Sequence, residues 1–540
     1  MIGRPAACGL LLCLAGALAA GAAPASAEEV MVRIAFQERN QVQRLADLGL
    51  DIWEVDREGG LLLARIRPER LSELHALGFA AWVDWEATQR FPSGIRVPPG
   101  YPCYRTFDQG VTDLQAAAAA HPSLVTLLDI GDAWESSHGG PQRDLLVTRV
   151  TNSAVAGPKP VFFLVAEHHA REMATPELAH DFLDWLLSGY GVDPLATFLI
   201  DRREIYIMPW ANPDGRIQNE STTSFWRKNT DDDDGCTSPP DQGTDLNRNY
   251  SYQWGLDSGS SGSPCATTYR GPSATSEPEV SALQSFIASI FPGAGGILIS
   301  LHTYGNYVLY PWAYTSAAAP DEPLLDQVAR KLAQFNGYLW GQPAELLFYT
   351  ASGTTDDFSY GALGVPSFTF ECGEAFYQDC ADLPGILNEN RPAFAYAGRI
   401  ADAAYVRAAG PDAAGTSVSP AVVPAGAVVH LESTVSDALS GAQVVTTAQA
   451  YLDTPPEAGG IALPMLASDG AFDESEEQVY LDLDTSLIPP GRHLLLVRGL
   501  DSAGNPGPLD AALLSVGPAN LTTGSGSSSP LSRVRLFVGP

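Results

Sequence analysis

Apolar and polar positions alternate along the chain with two different periods, and the switches between them mark the elements. Near the N-terminus Val30 to Phe36 reads as a strand, Glu38 to Leu48 as a helix stopped by Gly49, and Asp51 to Val55 as a second strand. The order repeats as Leu61 to Ile66, Pro68 to Leu77, Gly78 and Ala80 to Trp85, and Leu45-Ala-Asp-Leu-Gly49 is echoed by Leu74-His-Ala-Leu-Gly78. Two β-α-β halves predict a ferredoxin-like α/β sandwich over residues 28–90. The stretch Ala87 to Gly100, with Pro92, Gly94, Pro98 and Pro99, has linker composition, which places a connection at 91–100.

From Tyr101 onward, helical patterns such as Gln109 to His121 and Thr175 to Ser188 alternate with apolar strand candidates. The candidates are Leu145 to Thr151, Val161 to Ala166, Ile205 to Pro209, Ile297 to Leu301 and Ser367 to Glu371. This alternation predicts an α/β domain over 101–409, with a mixed central sheet flanked by helices. The insert Thr230 to Pro272 is rich in Asp, Gly, Ser and Pro, so it is expected to be irregular and tethered by a disulfide. A helical pattern over Arg391 to Arg407 leads into a Pro/Gly/Ala-rich linker, placed at 410–417.

Val428 to Val435, Val444 to Leu452, Gln478 to Asp484 and His493 to Leu500 then alternate as strands, with turns at Pro489-Pro-Gly491 and Ser502-Ala-Gly-Asn-Pro506. They predict a β-sandwich of immunoglobulin or fibronectin-III type over 418–517. Residues 518–540 read as a flexible tail, in which Ser532 to Gly539 is either a last strand or a sorting signal.

A length of 540 residues suits about three such units. The net charge of −32, with lysine nearly absent, argues against nucleic acid or an anionic membrane as partner. It favours a cationic substrate, or else serves solubility in a salty habitat. Met1 to Ala27 carries an early arginine, an apolar Ala7 to Ala20 core and Ala25-Ser-Ala27, which reads as a secretory signal cut after Ala27. No later segment is long and apolar enough to span a membrane. An exported, soluble protein is therefore expected. Cys8 and Cys13 leave with the signal, so Cys103, Cys236, Cys265, Cys372 and Cys380 remain where disulfides persist. Cys372 with Cys380 is the pairing that proximity suggests, which leaves Cys103 over.

The candidate chemistry begins at the end of the Val161 to Ala166 run, where His169 is followed three residues on by Glu172. An imidazole nitrogen and a carboxylate suit Zn²⁺, which takes N and O donors and leaves a position for water when catalytic. The third ligand is expected at His302, which also follows an apolar run, so both groups sit where loops build sites. Asp231 to Asp234 offers clustered carboxylates of the kind that hold calcium, or simply a solvated acidic run.

His-x-x-Glu alone also describes a structural histidine. Downstream, however, come Asn212-Pro-Asp-Gly215, Phe225-Trp-Arg-Lys228, Thr244-Asp-Leu-Asn-Arg-Asn249, His302-Thr-Tyr304, Tyr349-Thr-Ala-Ser-Gly353 and Ser367-Phe-Thr-Phe-Glu371, in that order. Together these segments resemble the zinc carboxypeptidases of the carboxypeptidase A and B type, the funnelin metallopeptidases, from Tyr101 to Ala409. The resemblance implies one zinc held by His169, Glu172 and His302, its spacing selecting His169 over the adjacent His168. It implies Glu371 as general base and Arg227 as the cation that polarises the scissile carbonyl. Asp245 would accept a hydrogen bond from the first histidine, as outer carboxylates of zinc sites do. Asn247 and Arg248 would bind the substrate's terminal carboxylate, Tyr349 would close over it, and Arg171 and Tyr304 would serve outer subsites.

The resemblance further implies a Cys236 to Cys265 bridge and an N-terminal pro-segment that assists folding or inhibits, with processing near Arg90 or Arg96. A permanent structural domain is the alternative. Asp356 falls at the floor of the side-chain pocket, with Leu309, Ala313, Ala351 and Thr369 as walls, unless a shift of one position gives the role to Asp357. An aspartate there implies removal of C-terminal Arg or Lys from peptides by an exopeptidase, for which a monomer is the expected state. The alternatives are dual specificity, a hydrolase of cell-wall peptides on the same site, and a non-catalytic binding module centred on the β-sandwich.

Overall fold

The structure, a computed structural model, describes residues 29–90, 102–221, 225–236, 241–256, 258–291 and 295–518. The signal segment, the connection 91–100 and all of the tail beyond residue 518 lie outside them.

The N-terminal domain is a four-stranded antiparallel sheet built from β1 (Val30–Ala35), β2 (Asp51–Asp56), β3 (Leu61–Ile66) and β4 (Ala81–Val83), in the order β2-β3-β1-β4. Helices Arg39–Asp47 and Arg70–Ala76 bury Val42, Leu45 and Leu74 on one face, so the doubled β-α-β pattern closes as a ferredoxin-like sandwich. Linker composition from Ala87 is overridden locally, because Trp85–Arg90 is helical. Asp84 accepts the Ala87 amide and caps that turn. Gly49 ends the first helix at φ +67, and a Cβ there would stand 2.8 Å from the Cβ of Ala266, so a bare backbone is what lets this domain press on the 230–272 insert.

The central domain holds an eight-stranded mixed sheet made of β5 (Val125–Asp132), β6 (Asp144–Val150), β7 (Val161–Ala166), β8 (Glu204–Met208), β9 (Ile297–His302), β10 (Tyr307–Leu309), β11 (Leu339–Gly341) and β12 (Ser367–Glu371). Its order is β11-β10-β12-β9-β7-β8-β6-β5. The parallel strands β8, β7, β9 and β12 form its middle. Every residue of β7 and β9 is buried, which is why β7 reads as an unbroken apolar run and β9 as one interrupted only by Ser300 before His302, rather than as alternation. Helices 174–189 and 383–400 cover one face, and 278–290 and 355–363 the other. The helix read from Arg391 begins earlier, at Leu383, carries Pro392 inside, and is interrupted before Ala404–Ala409. The described residues of the insert are mostly irregular, with a 3-10 turn at Leu246–Arg248, and Cys236–Cys265 bridges it, as expected.

The other disulfide differs from the expectation: Cys380 pairs with Cys103, 277 residues away, and Cys372 is free. Cys372 directly follows β12, its amide bonded to the His302 carbonyl, so its thiol is fixed in the core. Cys380 lies farther along the outer loop, where the start of the central domain passes.

The C-terminal domain packs a sheet of Asp412–Ser419, Val428–Ser436, Glu476–Asp484 and Leu466–Ala467 against one of Val422–Pro424, Asp510–Gly517, Gly491–Asp501, Val445–Leu452 and Leu463–Pro464. Residues 412–419, read as mostly linker, form its first strand, because Ala413 and Val418 are buried on the inner face. No free connection separates the two domains. Tyr451, Leu494, Leu496, Leu509 and Ala511 of the sandwich belong to the core of the central domain. Arg399 donates to the carbonyls of Leu509 and Ala413, and buried Lys331 pairs with Asp412. At the joint, a Cβ on Gly410 would lie 2.5 Å from the Gly507 amide, and one on Gly507 would lie 1.8 Å from the Pro411 carbonyl oxygen.

Candidate metal centre and cleft

Three parallel strands deliver the site. Loops at the carboxyl ends of parallel strands are where α/β sheets bind ligands, and here the His169–Glu172 loop follows β7, His302 ends β9, and Glu371 ends β12. In the β9–β12 register Glu371 stands opposite His302. Leaving β7, the chain turns at Glu167 with φ +54. Arg216 donates to Glu167 Oε1 at 2.7 Å, and Asn212 Nδ2 donates to the carbonyls of His168 and Lys228. The Asn-Pro-Asp-Gly segment thus staples the turn that presents the ligands.

His169 Nδ1 lies 2.7 Å from Glu172 Oε1, and His302 Nδ1 lies 3.0 Å from Glu172 Oε2 and 3.2 Å from His169 Nδ1. Two ring nitrogens and a carboxylate pointing into one space leave facing lone pairs that a cation would satisfy. All three side chains are buried, and the donor set of two imidazoles and one carboxylate is a zinc set. The residues therefore fit the metal. His169 Nε2 lies 3.1 Å from Asp245 Oδ1, which fixes the proton on Nε2 and turns Nδ1 inward. Asp245 also accepts Arg227 Nε and Nη2 at 3.1 and 2.8 Å. Burial pushes the Asp245 carboxyl up, but Arg227 and His169 outweigh it and hold the group well below the ordinary range. Burial, then the neighbouring charge of Glu172, push Glu371 well above its own.

The three expected metal donors, Glu371, Arg227, Asn247, Arg248, Tyr349, Asp356, Arg171 and Tyr304 line one cleft of about 170 Å³. Asp245 stands behind it. Arg248 donates Nη1 to the Asn247 carbonyl at 2.7 Å, while its buried Nε has no partner among the described residues. Asp356 reaches the cleft together with Leu309, Ala313, Ala351 and Thr369. Asp357 does not: its oxygens accept the amides of Ala313 and Tyr314 at 2.9 Å each.

Several neighbours were not legible beforehand. Arg171 is paired with Asp51 of β2 and lies over the Phe376 ring at 4.1 Å. Trp53 meets Phe376 and Phe225 at 4.9 and 5.3 Å, and Ile52, Glu54 and Val55 complete one wall of the cleft. The N-terminal domain therefore covers its mouth. Tyr304 packs edge-on against Phe376 at 4.9 Å. In the acidic run, Asp231 and Asp234 converge with Glu277, and burial and Glu277 push Asp231 up to about 7, while Asp232 and Asp233 are exposed.

A family model described as zinc carboxypeptidase matches residues 111–392. The chain is 32% identical over 286 residues to carboxypeptidase A2 of Rattus norvegicus, a match covering 51% of this chain and 64% of that protein. It is 30% identical over 398 residues to a zinc carboxypeptidase of Saccharothrix mutabilis subsp. capreolus, covering 68% of this chain and 87% of that one. Among solved structures it resembles a carboxypeptidase A from Helicoverpa armigera, with TM-score 0.57 and 21% identity over 70% of this chain and 98% of that one. Thrombin activatable fibrinolysis inhibitor superimposes similarly, with TM-score 0.56 and 23% identity over 69% and 98%. The sheet order that brings the two donor-bearing strand ends and the Glu371 strand end together and the match across more than half of the sequence agree: the chain belongs to the zinc carboxypeptidase family.

Proposed function

We propose that the protein is a secreted, zinc-dependent carboxypeptidase that removes C-terminal Arg or Lys from peptides, and that its N-terminal domain blocks the cleft until it is removed. The observation that carries this reading is the convergence of the His169, Glu172 and His302 donors with Glu371 and Arg248 in one cleft. Bound there, zinc supplies a Lewis acid for the scissile carbonyl and lowers the pKa of water from about 15.7 toward about 7. Glu371 takes a proton from the attacking water and returns it to the leaving amine. Arg227, held by Asp245, faces the oxygen on which negative charge develops. Asn247 and Arg248 receive the terminal carboxylate, which makes the enzyme an exopeptidase, and Tyr349 covers it.

Asp356 sets the side-chain preference, because a buried carboxylate favours a cation. The apolar walls Leu309 and Ala313, and relatives that bear the name carboxypeptidase A, favour dual specificity as the second reading. Of the acidic run only Asp231 and Asp234 converge with Glu277 while Asp232 and Asp233 are exposed, and this cluster has no part in the proposed chemistry. The Met1 to Ala27 segment and two disulfides support export, and the presence of every invoked group in one chain supports a monomer.

The test uses zinc-loaded protein, cut between the N-terminal and central domains, with matched peptides ending in Arg, Phe and Arg-amide. Release of Arg ahead of Phe, and none from the amide, is expected. Equal turnover of the amide would end the exopeptidase reading, and a preference for Phe would end the basic one.

A further inference from the structure

His168 adjoins a metal-binding histidine yet takes no part in the donor set. It is 0% exposed, and its ring lies nearly parallel to that of His302, 5.6 Å away. Its Nε2 stands 2.8 Å from the Tyr250 hydroxyl and 3.0 Å from Thr355 Oγ1, and its Nδ1 faces Ser300 Oγ at 3.5 Å. Thr355 opens the helix that carries Asp356. From there it commits both of its donors to one atom: backbone N–H and hydroxyl reach Asn247 Oδ1 at 2.9 and 3.0 Å.

The Thr355 backbone N–H can only donate, so it draws Oδ1 toward the helix; the hydroxyl strengthens that choice as a second donor only if its single proton is committed to the same oxygen. The Thr355 proton goes to Asn247 when the threonine oxygen is itself supplied with hydrogen from the other side. The groups on that side are His168 Nε2 and the Tyr250 hydroxyl, both fully buried. With Oδ1 held by Thr355, the amide nitrogen of Asn247, which also comes within 3.4 Å of His302 Nε2, is the end turned toward the cleft, and a nitrogen donor is what a carboxylate requires.

We infer that His168 is a positioning residue for substrate recognition: through Thr355 it orients the Asn247 amide so that its N–H groups meet the peptide's terminal carboxylate. The inference rests on the carboxypeptidase reading above. It predicts that an aromatic residue filling the same space, without a donor, weakens carboxylate binding while leaving the metal in place.

The experiment measures competitive inhibition of the zinc-loaded, cut protein by L-arginine against agmatine, and by L-phenylalanine against phenethylamine, pairs that differ in the carboxylate alone. The variants are His168→Phe, Thr355→Val, Asn247→Ala and His168→Phe combined with Asn247→Ala, each checked for one zinc per chain. Loss of one buried hydrogen bond corresponds to about a fivefold effect. His168→Phe is expected to erase about that much of the preference for the carboxylate-bearing inhibitor and to raise KM more than it lowers kcat. In the Asn247→Ala background it should cost nothing further. Thr355→Val should reproduce the loss, and it carries the test if His168→Phe does not fold.

An unchanged preference in His168→Phe, or an equal further loss without Asn247, would overturn the assignment while leaving the enzyme reading intact. A wild type that binds the amines as tightly as the amino acids would overturn both.

Discussion

Asp51 and Arg171 meet in a bidentate ion pair, with both N···O distances 2.7 Å and both side chains shut away from solvent. The aspartate belongs to the N-terminal sheet and the arginine to the loop that holds the metal ligands. Arg171, which we propose serves an outer subsite, is thus already engaged by an acidic group from the same chain, with the Trp53 ring 5.6 Å from its guanidinium. The pair makes the proposed inhibition by the N-terminal domain testable.

Removing one partner of a buried ion pair leaves the other uncompensated, at about 3–5 kcal/mol. In the uncut protein Asp51→Ala is therefore expected to raise peptidase activity by about a hundredfold or more, up to the ceiling set by the cut enzyme. Activity assays on cut and uncut forms check this. Uncut wild type as active as the cut form would mean that the domain is structural.

The same pair sets an acid dependence. Burial pushes the Asp51 carboxyl up, but Arg171 and then Arg65 outweigh it and hold it below its ordinary value of 3.8. A carboxylate depressed on docking contributes fully above the ordinary value and loses its contribution as pH falls through the lower, docked one. The cut N-terminal domain should stay bound at neutral pH and dissociate progressively below about pH 4. Gel filtration across that range measures it. In Asp51→Asn, binding should be weaker throughout and flatter with pH in that window.

At the catalytic end, Glu371→Gln should keep one zinc per chain and lose about 10²- to 10⁴-fold in kcat, the usual contribution of a proton-transfer group. A chelator should abolish turnover in wild type, with recovery on adding zinc. Metal analysis beside steady-state kinetics distinguishes loss of the base from loss of the ion.

The two adjacent aspartates should separate cleanly. Asp356→Ala is expected to cost about ten- to a hundredfold in kcat/KM for a peptide ending in Arg, and far less for one ending in Phe. Asp357→Ala leaves the amides of Ala313 and Tyr314 without acceptors, so it should lower thermal stability by about 1–3 kcal/mol without changing the preference. Reversed effects would give the pocket floor to Asp357.

What could be read ahead of the structure follows from physics at each position. Strands β7 and β12 have the bounds expected from the sequence, β7 as a continuous apolar run and β12 as a short alternation of Phe368 and Phe370 with polar residues. Strands β10 and β11, three residues each, carry no period to detect. The candidate metal donors and Glu371 were legible because short motifs in a fixed order, each at a strand end, survive in sequence and carry the family resemblance. Asp51, Trp53 and Thr355 were not, since each acquires its role from a surface brought in by distant chain. Cys103 and Cys380 failed to stand out for the same reason: proximity in sequence favoured Cys372, whose thiol the sheet had already enclosed.

The joint at Gly410 and Gly507 has a mechanical consequence. With backbone pressed on backbone and Tyr451, Leu494, Leu496 and Leu509 of the sandwich packed into the central core, the joint is closed by contact on both sides rather than by a free strand of chain. The sandwich sits on the central domain as a fixed bracket does on a vice. Anything gripped by its outer faces would be held at a constant bearing and distance from the jaws, and would turn only when the whole molecule turned.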